Sequence, residues 1–448
     1  MLFSSVGCGA RTGLEVGDVA EAPIGGAGGA GGGEPAPCPT TFADCDNTGT
    51  CETDLGASSE NCGACGNACP DGLVCGAGVC RSPEDIIQAA AGMYYTCALR
   101  ASGEVLCWGG NAAGVLGDGT FENHAFPLPV AGLTDAVEIE AGTGQPDWSA
   151  TCARRASGTL ACWGSGVLGQ LGNGSEEDQP VPVEVVGVTE AASVKTAQAS
   201  ACALRRDGAV WCWGYNSSGQ LGDGNGEGGP WIAAPVVNLD YALQLDVAEL
   251  ACVTLATGEV ACWGSDRFGW AGGTPDFLET PTIVKNVSDA GSVYLPGPAS
   301  NQVPGAQCVI HAGGAVSCTG QNEFGNIDLD IPHDLTNGEM KTIEGVTDAI
   351  QVAGTLSTTC ALRANGQVVC WGSNDNGLLG IDSFEQPEEK VVTVSGLEGV
   401  VHLAGGRWHM CAALGAGGVA CWGGNQSGQL GDGTTEQRAA PVPVLGLP

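Results

Sequence analysis

Cysteine carries the most chemistry in this chain, with 23 among 448 residues. They stand at Cys8, at eight positions between Cys38 and Cys80, and at fourteen between Cys97 and Cys421. Two even sets with one residue left over point to an oxidising compartment, because cytosolic thiols stay reduced. The competing chemistry is zinc, for which Cys62-x-x-Cys65 has ligand spacing. No His lies in that segment and no second pair of the zinc-ribbon kind accompanies it, so disulfides are expected there, with their connectivity open. Catalysis would need a converging acid, base or nucleophile. The five His, His124, His311, His333, His402 and His409, show no Ser or carboxylate partner in the sequence; His402 falls in an inner-strand pattern and His124 in a loop. Asp118, Asp223 and Asp432 stand in Leu-Gly-Asp-Gly, which reads as a turn and lacks the spacing of a calcium loop. No catalytic residue, metal or cofactor is expected.

The elements that must position these residues are strands and turns. The chain has 75 Gly and 23 Pro with 15% charged residues, and the Gly follows no triplet period, as in a turn-rich β protein. Its formal charge of −35 repels phosphate backbones and anionic lipid surfaces, so nucleic acid is excluded as a partner and a soluble, acidic surface is implied. No stretch reaches the roughly 18 apolar residues of a membrane-spanning helix.

From Glu84 onward one pattern recurs every 50 to 56 residues: Cys, nine residues, Cys. It stands at Cys97/Cys107, Cys152/Cys162, Cys202/Cys212, Cys252/Cys262, Cys308/Cys318, Cys360/Cys370 and Cys411/Cys421. A Gly always follows the first Cys by six residues, at Gly103, Gly158, Gly208, Gly258, Gly314, Gly366 and Gly417. A hairpin with a three-residue loop closed by that Gly, such as Ala101-Ser102-Gly103, places the two Cys opposite each other. Opposed Cα atoms sit about 4.5 to 5.5 Å apart, within reach of a disulfide, so each repeat is expected to carry its own staple. Trp follows the second Cys at Trp108, Trp163, Trp213, Trp263, Trp371 and Trp422, with Thr319 the exception, and Gly follows in every copy. Trp and Cys then face opposite sides of a sheet that must be covered on both, as in blades stacked around an axis. Gly-Gln-Leu-Gly comes next at 169 to 172, 219 to 222 and 428 to 431, followed by Pro-rich stretches such as Pro127-Leu128-Pro129-Val130 that suit an edge strand.

Cys202-Ala203-Leu204-Arg205, Cys212-Trp213-Gly214 and Gly219-Gln220-Leu221-Gly222-Asp223-Gly224 together resemble the repeat of the regulator of chromosome condensation (RCC1) family, and the resemblance covers residues 84–448. It implies an all-β, seven-bladed β-propeller of four antiparallel strands per blade, matching the seven copies counted above. The copies at Cys252 and Cys308 depart most, with Gly269-Trp270-Ala271-Gly272 and Cys318-Thr319-Gly320, and His409 alone stands two places before a first Cys, where the family often has His. The final Pro441-Val442-Pro443-Val444 is expected to complete the first blade and close the ring.

Ahead of the propeller, residues 38–82 read as a small disulfide-rich module and 9–37 as a Gly-rich flexible linker. Ser5-Val6-Gly7-Cys8 in residues 1–8 resembles the end of a bacterial lipobox. The run before Cys8 is too short for a signal peptide, so an upstream start is expected, with Cys8 acylated. The expectation is an extracellular or cell-surface protein, lipid-anchored in a bacterial envelope and monomeric.

The family resemblance also implies a binding role. The guanine-nucleotide exchange activity of its nuclear member fits poorly with a glycine-rich acidic tail and paired Cys. A non-catalytic scaffold for an unknown protein partner fits better, with a glycan partner as the alternative. Loops before each first Cys share a face with those after Gly-Gln-Leu-Gly, and that face collects Tyr94, Tyr95, Trp148 and Trp408 from the first set and Phe121, Trp231, Trp270 and Phe277 from the second. The irregular segments Leu295 to Gln307 and Ile327 to Lys341 form a second candidate region.

Overall fold

The computed structural model describes residues 37–448 apart from 40, 47, 49, 227, 230, 268, 272–276, 297–305, 328–333, 336–338 and 416. Cys8, most of the linker, His333 and the greater part of both irregular segments lie outside the described residues.

Seven four-stranded antiparallel sheets run through 86–129, 136–184, 191–235, 242–283, 290–342, 349–393 and 400–443, forming a seven-bladed propeller. Strand order within every blade follows chain order, from the inner strand to the outer edge. In the first blade these are Ile86–Ala91, Tyr95–Arg100, Val105–Gly109 and His124–Pro129, so His124 opens the outer strand rather than lying in a loop.

The hairpin joining the second and third strands is set by its Gly. Gly103 adopts φ +90°, its N–H donates to the Arg100 carbonyl at 2.9 Å, and its six counterparts also have positive φ. Arg100 N–H donates to the Glu104 carbonyl, and counting back along the register makes Cys97 and Cys107 a directly opposed pair without mutual backbone hydrogen bonds. The same register opposes the two Cys in every blade, and all seven pairs are bridged: Cys97–Cys107, Cys152–Cys162, Cys202–Cys212, Cys252–Cys262, Cys308–Cys318, Cys360–Cys370 and Cys411–Cys421. The staple expected from the spacing is thus present in each blade. The Cα separations are 4.0 to 4.1 Å, below the 4.5 to 5.5 Å expected and nearest the 4.5 Å of the narrow kind of pair in the ladder.

Neighbouring blades meet through the Trp that follows the second Cys. Each indole is buried and donates its N–H to a backbone carbonyl in the preceding blade: Trp163 to Val115 at 2.8 Å, Trp213 to Gln170 at 2.9 Å, Trp263 to Gln220 at 3.1 Å, Trp371 to Asn326 at 2.9 Å and Trp422 to Leu378 at 2.8 Å. Trp108 donates to Gln429 of the last blade at 2.9 Å, which closes the ring. The expected strand exchange does not occur. The C-terminal strand Arg438–Pro443 pairs with Val419–Gly423 of its own blade. In every copy the outer strand follows the third strand of its own blade and pairs with it, so the propeller begins on an inner strand and ends on an outer one. Side chains make the closing seam: Thr96 Oγ1 donates to the Gln429 carbonyl at 2.8 Å and lies 2.7 Å from His409 Nε2.

Where Thr319 replaces the Trp, the seam between the fourth and fifth blades is completed from the other side. Trp270 is 1% exposed and joins Val284, Val287, Val293 and Val309 in one buried cluster, where the preceding seams hold the Trp of the later blade. Its place in the loop of blade four is therefore internal.

The Cys-rich module contains the bridges Cys38–Cys51, Cys45–Cys65, Cys62–Cys75 and Cys69–Cys80, which consume the thiols of the Cys62-x-x-Cys65 spacing. It docks on the propeller end that carries the second-to-third-strand hairpins. Phe42 is buried beneath the guanidinium groups of Arg154 and Arg206, Asp54 Oδ2 pairs with Arg154 at 2.8 Å, and Arg81 donates to the Gly415 carbonyl at 3.2 Å.

Candidate functional site

Strand order places the loops between first and second strands, and the long loops between third and outer strands, at the end away from the Cys-rich module. Of the eight aromatics expected there, Phe121, Trp148, Trp231 and Phe277 are exposed, at 52%, 38%, 47% and 60%, and Tyr94 and Trp408 are half-buried. Tyr94, Trp148 and Trp408 occupy equivalent loops of three successive blades, the first, second and seventh, across the ring closure.

Two assignments are corrected. Tyr95 is 2% exposed: it opens the second strand, and its hydroxyl lies 2.9 Å from Thr151 Oγ1 of the next blade. His409, at the equivalent position, reaches Thr96 of the next blade in the same way, so a large polar side chain two places before the first Cys is a seam residue. Trp270 is buried for the reason given above. Sequence reasoning missed Arg407, which lies beside Trp408 with its guanidinium 5.5 Å from the indole centre and its Nε unpartnered, and also Tyr215 and Phe384 in the third-to-outer-strand loops. Loop membership after Cys-Trp-Gly could have found the last two.

His311 requires a further correction, because it has both partners that the sequence did not reveal. Its Nδ1 lies 2.8 Å from Asp289 and its Nε2 2.9 Å from Ser317 Oγ. This chain has the connectivity of a hydrolytic triad, yet its origin is structural. Three residues after the first Cys, Arg155, Arg205 and Arg363 pair with Asp135, Glu190 and Asp348, and His311 with Asp289 is the same recurring pair. Ser317 is buried in the middle of a regular strand and its hydroxyl also contacts Thr342 Oγ1 at 3.1 Å. A nucleophile needs access to a carbonyl carbon and donors for the oxyanion, and this geometry offers the Ser317 oxygen neither. His124 likewise pairs with Asp118 at 3.3 Å. Asp118, Asp223 and Asp432 accept backbone N–H groups two residues on, at 2.9 to 3.0 Å, as turn residues do.

A polar cavity of about 290 Å³ runs along the propeller axis. The fifth residue of each inner strand lines it, joined by the third residue in blades four to seven, while the fourth, as in Ile139, Val194 and Leu245, packs into the core between blades. In the third tier Gln88, Gln244 and Gln351 each fork across to the next inner strand, Gln351 donating to the Leu403 carbonyl at 2.8 Å and accepting the Leu403 N–H at 2.9 Å. The fifth tier reads Ala90, Glu140, Lys195, Asp246, Tyr294, Ala353 and Ala404 around the ring. Lys195 Nζ lies 2.8 Å from Glu140 Oε2. Burial opposes the Lys195 charge, but the carboxylates of Glu140, Asp246 and Glu138 outweigh it and hold its pKa above the ordinary range. Burial pushes Asp246 up to about 7 despite Lys195 and the N–H groups of Leu295 and Val247, and pushes His402 down to about 3. Glu138 is raised by burial as well, against the pull of Arg154 at 3.1 Å.

Comparison with known proteins agrees with this architecture. Residues 86–115, 199–220 and 349–378 match one family model described as the regulator of chromosome condensation (RCC1) repeat, and 102–145 and 157–204 match another of the same description. A 102-residue stretch is 33% identical to the human E3 ubiquitin-protein ligase HERC2, covering 23% of this chain and 2% of that one. The mitochondrial RCC1 domain-containing protein RUG3 of Arabidopsis thaliana is 36% identical over 106 residues, 23% of either chain. The matched stretches thus span less than a quarter of these relatives. The crystal structure of human WBSCR16 superposes with a TM-score of 0.60 at 19% identity, covering 76% of this chain and 94% of that one, a likeness of fold.

Proposed function

From a propeller that carries RCC1 repeats, we propose a non-catalytic scaffold at the cell surface that binds another protein through the end opposite the Cys-rich module. The observation that carries this reading is the placement of Trp408, Tyr94, Trp148 and Phe121 on three successive blades of the free end, while the module covers the other end through Phe42, Asp54 and Arg81. Large aromatics supply contact area at low entropy cost, and a buried aromatic centre dominates many protein interfaces. Arg407, 6% exposed, is buried beside Trp408 with its guanidinium 5.5 Å from the indole centre, and so backs that side chain from within. Secretion and a lipid anchor at Cys8 belong to the same proposal, supported by eleven bridged Cys pairs that suit an oxidising compartment.

The test is capture of partners by the purified oxidised protein from envelope and culture-supernatant extracts, read by mass spectrometry, with a Trp148→Ala/Trp408→Ala variant alongside. A partner whose affinity falls at least about tenfold in the variant supports the face, since each central aromatic is worth about 1 kcal/mol or more. Unchanged affinity refutes it. Binding of glycans with no protein captured would replace the protein partner by a carbohydrate.

A further inference from the structure

The axial cavity is lopsided in a way that specifies a ligand. In its fifth tier, blades two to four contribute Glu140, Lys195 and Asp246 and blade five Tyr294, whereas blades six, seven and one contribute Ala353, Ala404 and Ala90. The three alanines leave the room, and the opposite wall carries the charge. Lys195 is held by Glu140 at 2.8 Å, while the hydrogen bonds of Asp246 come from two backbone amides, Leu295 at 2.7 Å and Val247 at 3.0 Å. Glu138 behind this wall is matched by Arg154. His402 is neutral because burial disfavours its charge. The lining therefore holds one carboxylate more than it holds cations.

A bare metal ion does not fit. Among the described residues the acid, Cys and His groups that converge in threes are Cys62, Cys69 and Cys80, or Asp44, Asp46 and Glu52, all in the Cys-rich module, and the cavity has the volume of about ten waters. A polyatomic cation with an apolar body matches both the surplus carboxylate and the alanine side.

We propose that the axial cavity binds a primary ammonium group, which lies against Asp246 with its alkyl chain over Ala90, Ala353 and Ala404. The source is either a small free amine or a lysine side chain from a protein on the aromatic face; the first source needs no partner, so this site stands apart from the face reading. The Asp246 carboxylate accepts an ammonium hydrogen. The surrounding titratable groups are Glu138, Glu140, Lys195, Tyr294 and His402. With Asp246 half protonated near neutral pH, the ammonium displaces its proton, and affinity rises between pH 6 and 8.

The experiment is isothermal titration calorimetry on the oxidised full-length chain with butylammonium chloride, a doubly blocked pentapeptide centred on lysine, and butanol as the uncharged isostere. The expected result is one-to-one binding of an amine, stronger at pH 8 than at pH 6, at least tenfold weaker in Asp246→Asn and in Ala404→Leu, and no heat from butanol. Butylammonium binding identifies a free-amine site; binding of the peptide alone, weakened by the same two variants, identifies the lysine side chain as the source. The proposal is overturned if neither amine binds a protein with native circular dichroism, if butanol binds equally, or if both variants bind as the parent does. Loss of partner capture in Trp148→Ala/Trp408→Ala with amine binding intact separates the two sites.

Discussion

If Trp270 replaces the indole that Thr319 lacks, the two positions must be strongly coupled. The proposed perturbation is a cycle of Trp270→Gln, Thr319→Trp and the double variant, which restores at this seam the Gln-and-Trp arrangement seen one blade earlier. Trp270 is 1% exposed, and emptying a core Trp site costs about 3 to 5 kcal/mol. Thr319→Trp alone forces a second indole into an occupied space, at about 1 to 3 kcal/mol. Independent sites would sum to roughly 4 to 8 kcal/mol in the double variant. With the seam rebuilt, the new indole donates to the carbonyl of residue 270 as Trp263 donates to Gln220 at 3.1 Å, and the unpartnered Trp270 Nε1 and Thr319 Oγ1 both disappear. The double variant should then lie within about 2 kcal/mol of the parent, a coupling of at least about 2 kcal/mol. A seven-bladed ring need not unfold in one step, so the assay is hydrogen exchange of Ala290–Tyr294 and Ala306–His311 in the disulfide-intact protein, which resolves local opening. A double variant as destabilised as the sum of its singles would refute the substitution of one indole for the other.

Four other outcomes are expected. His409 is buried at the closing seam and pushed down to about 3, so the unfolded chain takes up a proton below about pH 6.5 while the folded one does not; stability falls as pH drops from 6.5 toward 3, by up to about 1.4 kcal/mol per pH unit, and His409→Gln should flatten that slope in urea titrations. Asp246, raised to about 7, acts with the opposite sign, so stability rises as pH falls from 7 toward 4 and Asp246→Asn removes this component. Arg154→Met leaves Asp54 and Glu138 facing each other without their shared cation; a loss of about 3 to 5 kcal/mol and faster proteolysis between the module and the propeller should follow. Replacing Cys97 and Cys107 by Ala should cost about 2 to 4 kcal/mol, read from the guanidinium midpoint of the first blade, since the bridge closes a ten-residue separation.

What could be read from the chain alone was whatever repeats. Seven copies of Cys, nine residues, Cys with Gly at the sixth place define a hairpin, because only one loop length brings both Cys into opposition and only Gly takes the turn's positive φ without strain. Blade number, bridge pairing within each blade and the end of the ring bearing the long loops follow from that local pattern. Ring closure was misread because a strand's neighbour depends on which edge is free, and the Pro-rich stretch fits an outer strand of either blade until the tertiary structure pairs it with Val419–Gly423. Tyr95 and Trp270 were misplaced for a related reason: exposure at a seam depends on what the adjoining blade offers, Thr151 in one case and Thr319 in the other. The axial cavity lay beyond local reading altogether. Glu140, Lys195 and Asp246 stand about 50 residues apart, each unremarkable in its own strand, and the folded ring alone brings their charges to one wall of a shared, poorly solvated space where the imbalance among them acquires chemical meaning.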